Sequence, residues 1–132
     1  MTLNVKAWIK SYEGLRLFPY LDTTGNVTIG YGRNLDDGIT QMEADVLFQN
    51  DFNRCVSELE HFSWYLEAPE TVKNALINMN FNLGLHKLIE FKNMIMALEQ
   101  KNYRKAAQEV LNSEWASKVG QRAKDVAVMI GG

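Results

Sequence analysis

Two carboxylates and a hydroxyl near the start of the chain, Glu13, Asp22 and Thr28, are the residue types that could break a glycosidic bond. A pair of acids flanking such a bond divides the work. One protonates the leaving oxygen, and the other activates water or stabilises positive charge. Taken singly, each residue has an ordinary reading: a solvated surface glutamate, an aspartate satisfying its own turn, a strand-forming threonine. Extended chain would hold Glu13 and Asp22 roughly 30 Å apart. A sharp reversal must therefore lie between them.

The neighbouring residues supply one. Val5, Trp8, Ile9 and Tyr12 recur at helical spacing, Asn4 is placed to cap them, and Gly14 suits the left-handed residue that ends a helix. The pattern predicts a first helix closed by Glu13. Residues 15–21 and 27–31 are rich in branched and aromatic side chains, and Asp22-Thr23-Thr24-Gly25-Asn26 between them is turn chemistry. This predicts a β-hairpin with Asp22 at its bend. Gly30 and Gly32 on either side of Tyr31 mark a strand end where something approaches the backbone closely.

Beyond Gly38 the character is helical. Thr40 and Glu43 form a capping box ahead of the stripe Ala44, Leu47, Phe48, Phe52, Cys55, Val56 and Leu59, which predicts a long helix over residues 41–60. Pro69 opens another helix that is apolar on nearly every side apart from its asparagines, as befits the centre of a bundle, and Gly84 ends it. Three shorter helices are expected at about 89–99, 103–112 and 121–130, with Trp115 packing between the last two. The fold class is α+β in a single domain spanning residues 1–132. A small hairpin lobe, about 14–39, is joined by the long helix to a larger helical lobe, about 61–132 plus the N-terminal helix, with a cleft between the lobes as the natural ligand site.

At 132 residues the chain can bury a real core, and 46% hydrophobic with 23% charged content is that of an ordinary globular protein. The one cysteine, Cys55, reads as a buried helical thiol and leaves the fold independent of an oxidising compartment. No apolar run is long enough to span a membrane, and Lys6 and Lys10 break any signal-peptide pattern. Residues 1–85 carry 6 basic and 11 acidic side chains against 8 and 5 in the remainder. The basic half could steer a polyanionic polymer, or its charges could simply solvate helix faces. His61 and His86 stand alone, so no metal site is expected. Trp8, Trp64 and Trp115 read as core or lobe-contact residues, with a sugar-stacking Trp64 as the alternative.

The motifs Glu13-Gly14-Leu15-Arg16-Leu17, Tyr20, Asp22-Thr23, Gly25, Thr28-Ile29-Gly30 and Gly32 fall in one register with Ala75-Leu76-Ile77-Asn78-Met79, Phe81, Gly84 and Arg122-Ala123-Lys124. Over nearly the whole chain this closely resembles the phage-type lysozymes, the endolysins of glycoside hydrolase family 24, including those of the T-even phages. The resemblance implies a lysozyme-like fold and muramidase activity on the β-1,4 bond between N-acetylmuramic acid and N-acetylglucosamine in peptidoglycan, in phage-induced lysis. It implies Glu13 as general acid, Asp22 as second carboxylate, Thr28 as a holder of the attacking water, and an inverting mechanism. Leu35 and Phe81 match cleft-lining positions, and Arg122 matches an arginine near the catalytic glutamate. No cofactor is implied.

Two departures stand out. Arg33 occupies a position where the family often has histidine, and the aligned acid is Asp51, so an Arg33–Asp51 ion pair is expected; Met94 and Glu109 fall at cleft positions without matching. Two other functions are compatible with the residues: a lytic transglycosylase, against which retention of both Asp22 and Thr28 argues, and a silent wall-binding module. The expected setting is a monomer in the host cytoplasm, without nucleic acid or stable membrane association, that reaches peptidoglycan after a separate holin permeabilises the membrane.

Overall fold

The computed structural model describes residues 4–132, and the chain parts into two compact units between Val46 and Leu47. In the first unit, helix α1 (Val5–Glu13) starts where the Asn4 side chain accepts the Ala7 N–H at 3.1 Å. It ends at Gly14, whose φ of 69° turns the chain away while its N–H returns to the Lys10 carbonyl at 2.9 Å. Both ends are thus satisfied by the residues that the pattern singled out.

Strands β1 (Arg16–Leu21) and β2 (Val27–Gly30) pair antiparallel, with Tyr20 opposite Thr28 and Leu21 opposite Val27. The ladder is irregular between Arg16 and Tyr20, the interval that contains Pro19, which has no N–H to donate. A third strand, β3 (Arg33–Asn34), adds to the other side of β2. Its two residues are too few to show any alternation. A 3-10 turn, Leu35–Asp37, follows, capped by the Asn34 side chain accepting the Asp36 N–H.

Helix α2 (Gln41–Leu59) begins in this unit with the expected reciprocal cap: the Thr40 N–H donates to Glu43 Oε1 at 2.8 Å, and the Glu43 N–H donates to Thr40 Oγ1 at 3.2 Å. The Glu43 carboxylate also takes both ends of the Arg33 guanidinium, at 2.9 Å on Oε1 and 2.6 Å on Oε2. This corrects the expected Arg33–Asp51 pair. Asp51 lies eight residues further along α2, about 12 Å up the axis from Glu43, and pairs instead with Arg54 at 3.1 Å. An arginine engaged at the first turn of the helix cannot also reach its third.

The second unit is helical: α3 (Ser63–Leu66), α4 (Glu70–Leu83), α5 (Leu85–Leu88), α6 (Lys92–Glu99), α7 (Tyr103–Leu111), α8 (Glu114–Val119) and α9 (Gln121–Gly131). The long α2 and α4, and the separate α7 and α9, follow the apolar periodicity closely. The helix expected over 89–99 starts three residues late, as α6 at Lys92, after a separate short α5 that the pattern did not indicate, and α3 and α8 are single turns or little more, too short to show a period. The core is built on Leu59, Leu76, Met79, Leu88, Met94 and Leu98, each at most 1% exposed. Burial of a side chain of this size contributes roughly 1.5–3 kcal/mol. Trp64 and Trp115 are buried, which removes the sugar-stacking alternative for Trp64, whereas Trp8 is 48% exposed.

Two details of this unit depart from the simple pattern. Asn80, one of the asparagines of α4, is 1% exposed, donating to the Cys55 carbonyl at 3.2 Å and to Glu58 at 3.3 Å. Its Oδ1 has no partner among the described residues. Cys55 is buried as expected, and desolvation pushes its thiol upward in pKa.

Glu43 has a testable consequence. The Arg33 hydrogen bond and the Thr40 N–H hold its pKa down to about 2 from an ordinary 4.5. Stability from this carboxylate is therefore complete above pH ~4.5 and is lost as pH falls through about 2. Thermal melts of the wild type and Glu43→Gln should differ at pH 6 and converge as pH approaches 2.

Candidate active site

Glu13, Asp22 and Thr28 all lie in the first unit, carried by a helix end, a hairpin bend and a strand. The bend is tightly organised around one residue. The Asn26 carbonyl accepts the Asp22 N–H at 2.9 Å and the Thr28 hydroxyl at 2.9 Å, while the Asn26 N–H donates to Asp22 Oδ1 at 2.9 Å. Thr24 adds its N–H at 2.9 Å and its hydroxyl at 2.8 Å to the same Oδ1. Three donors therefore converge on one carboxylate oxygen, and no described residue donates to Oδ2.

Asp22 is thus a turn residue and a chemically available acid at once. The Asn26 N–H and then the Thr24 hydroxyl hold its pKa below the ordinary carboxylate value, with partial desolvation opposing them. A carboxylate held this way stays ionised and keeps one oxygen for an incoming donor. Thr28 is 3% exposed and has spent its hydroxyl proton on Asn26. Its oxygen can then act only as an acceptor toward anything else.

Glu13 is exposed, and its carboxylate rests against Gly32. A Cβ at Gly32 would collide with Glu13 Oε2 and sit 3.1 Å from Cδ, so only glycine leaves room for the acid there. Its φ of 79° asks for glycine independently. The close approach expected at the paired glycines is therefore real at Gly32; Gly30, at φ 71°, meets nothing within 4 Å. Lys10 reinforces the contact from the same helix, its ammonium 4.9 Å from the centre of the Tyr31 ring.

Of the remaining candidates, Leu35 is half-buried in the 3-10 turn of the first unit. Phe81, Asp51 and Arg122 belong to the second unit. Phe81 is 38% exposed and its ring lies 5.3 Å from that of Phe48. Arg122 is held by Asn78, donating to its side-chain oxygen at 2.7 Å and its carbonyl at 3.3 Å. Arg33 and Asp51 serve the separate ion pairs described above.

Sequence patterns did not reveal a cavity of about 580 Å³ in the second unit, lined among others by Leu83, Phe91, Met94, Glu109 and Trp115. The Trp115 indole N–H donates to Asn82 at 2.7 Å in its wall. The two cleft positions that fail to match the family, Met94 and Glu109, therefore share one cavity. Spacing could not show this, because the lining comes from short helices α5 and α8 as well as long ones. No group of three or more His, Cys, Asp or Glu side chains is arranged to hold a metal ion among the described residues.

Comparison with known proteins shows what the chain is similar to. Residues 10–127 match the family model described as phage lysozyme. A probable T4-type lysozyme 2 of Dictyostelium discoideum is 28% identical, over 96% of this chain and 92% of its own. An endolysin of Acyrthosiphon pisum secondary endosymbiont phage 1 is 33% identical over 58% of this chain and 55% of its own. The pre-baseplate central spike protein Gp5 of Enterobacteria phage T4 is 25% identical over 97% of this chain but only 28% of its own length.

Gly32 provides a direct test of the Glu13 geometry. Gly32→Ala incurs both the left-handed backbone penalty and the collision, whereas Gly38→Ala, at φ 74° with nothing within 4 Å, incurs only the first. Each should lose about 1 kcal/mol or more in stability. Only Gly32→Ala should move the side-chain carboxyl 13C resonance of Glu13.

Proposed function

Because this chain belongs to the phage lysozyme family, it is a peptidoglycan hydrolase of the glycosidase type, and we propose that Glu13, Asp22 and Thr28 cut the β-1,4 bond between N-acetylmuramic acid and N-acetylglucosamine. Glu13 donates a proton to the leaving glycosidic oxygen. Asp22, ionised and fixed through Oδ1, takes a proton from the attacking water at Oδ2. Thr28, whose own proton is committed to Asn26, accepts the water's second hydrogen. With both hydrogens engaged, the water's lone pair is left to attack the anomeric carbon.

The observation that carries this reading is the convergence of three donors on Asp22 Oδ1. A nucleophilic role would also be open to an ionised carboxylate, but the partnership with an acceptor-only Thr28 favours direct attack by water and inversion at the anomeric carbon. Such geometry calls for roughly 6.5–9.5 Å between the two carboxyls. Leu35 and Phe81 are proposed sugar contacts, and Arg122 a supporting residue of the catalytic glutamate, on the resemblance at those positions. The protein is proposed to work as a monomer without a cofactor, accumulating in the host cytoplasm and meeting the wall once a separate holin has opened the membrane.

Replacing Glu13 with Gln should slow clearing of purified peptidoglycan by about 10²–10⁴-fold while the thermal melt stays in place. A variant that clears at the wild-type rate would remove Glu13 from the reaction. For stereochemistry, NMR of the first product should show the inverted anomer. Net retention would instead make Asp22 the nucleophile, and a 1,6-anhydro end seen by mass spectrometry would make the enzyme a transglycosylase.

A further inference from the structure

Asp22 receives more hydrogen bonds than its turn needs. An aspartate at a bend is satisfied by backbone N–H groups two residues and more ahead of it, and the N–H groups of Thr24 and Asn26 already fill that role at 2.9 Å each. Two side chains are added to them in series. The Asn26 carboxamide nitrogen donates to Thr24 Oγ1 at 3.0 Å, and Thr24 Oγ1 donates to Asp22 Oδ1 at 2.8 Å.

The direction of this series is dictated by chemistry. An amide nitrogen can only donate, so Thr24 accepts from Asn26, and an ionised carboxylate can only accept, so the Thr24 proton points at Asp22. We propose that Thr24, oriented by the Asn26 carboxamide, is a positioning residue that saturates Asp22 Oδ1 and thereby turns Oδ2 toward the reacting water. The relay rests on the reading that Asp22 handles that water. Its contribution to the lowered pKa ranks second, after the Asn26 N–H. On β1, the strand that leads into the bend, the charged and titratable groups Arg16 and Tyr20 stack on each other at 4.5 Å, and the paired strand β2 carries none. No described charged side chain hydrogen-bonds to Asp22.

The test compares Thr24→Val, which removes the hydroxyl, with Thr24→Ser, which keeps it, and with Asn26→Ala, which leaves the hydroxyl undirected. Two readouts are followed on the full chain: the 13C titration of the Asp22 carboxyl, and the pH profile of kcat and KM on peptidoglycan. Losing one hydrogen bond to the carboxylate should raise the Asp22 midpoint in Thr24→Val. It should lower kcat roughly 2- to 10-fold on the acid limb with KM unchanged. Serine should restore both, and Asn26→Ala should fall between.

If the Thr24→Val titration superimposes on the wild type, or serine behaves as valine, the relay is overturned. A shifted titration with an unmoved acid limb would uphold the relay and overturn instead the role of Asp22 in the reaction.

Discussion

One peptide, that of Asn26, ties the working end of the first unit together. Its carbonyl accepts from the Asp22 backbone and the Thr28 hydroxyl, and its N–H donates to the Asp22 carboxylate. The separation and mutual orientation of the second acid and the threonine are therefore a property of a backbone turn. They do not depend on side-chain packing, which is sparse here: α1 has no fully buried residue. A site built on hydrogen-bonded backbone can be small, exposed at its edges and still sterically defined.

Glu13 is placed by a different device. It closes a helix whose end is set by Gly14, and its carboxylate lies where a side chain at Gly32 would have to be. The first acid is thus located by an absence of atoms and the second by a surplus of donors. The contrast suits the roles proposed for them, since a general acid must approach a leaving oxygen without competing hydrogen bonds, whereas an ionised partner of water gains from donors that stabilise its charge.

Much of this was legible in the residues. The Asn4 cap, the Gly14 stop, the Asp22 bend, the Thr40–Glu43 box and the end of α4 at Gly84 are local signals, each with its own stereochemical cause, and the structure has them all. The features that the residues do not signal are short or long-range. Strand β3 has two residues and α3 four, below the length at which a period can show. Burial of Asn80 depends on what α2 brings against it, which no spacing along α4 encodes. At the site, the three residues and their glycines could be picked out from types and spacing, but the saturation of one Asp22 oxygen required coordinates.

The Arg33–Glu43 pair shows how a single replacement relocates a property. The family register points to Asp51 only if a histidine's partner serves an arginine equally well. Arginine is longer, planar and permanently charged, and it prefers a carboxylate that can meet both prongs of its fork. Glu43, already fixed by its cap to Thr40, offers such a carboxylate within the same unit. A histidine contact would titrate near neutrality; this one changes charge only when Glu43 protonates, at about 2. Asp22 is shifted in the same direction by its own donors. The anchor of β3 to α2 and the carboxylate proposed to handle water therefore keep their charges together into acid, where a histidine-based anchor would already have changed state.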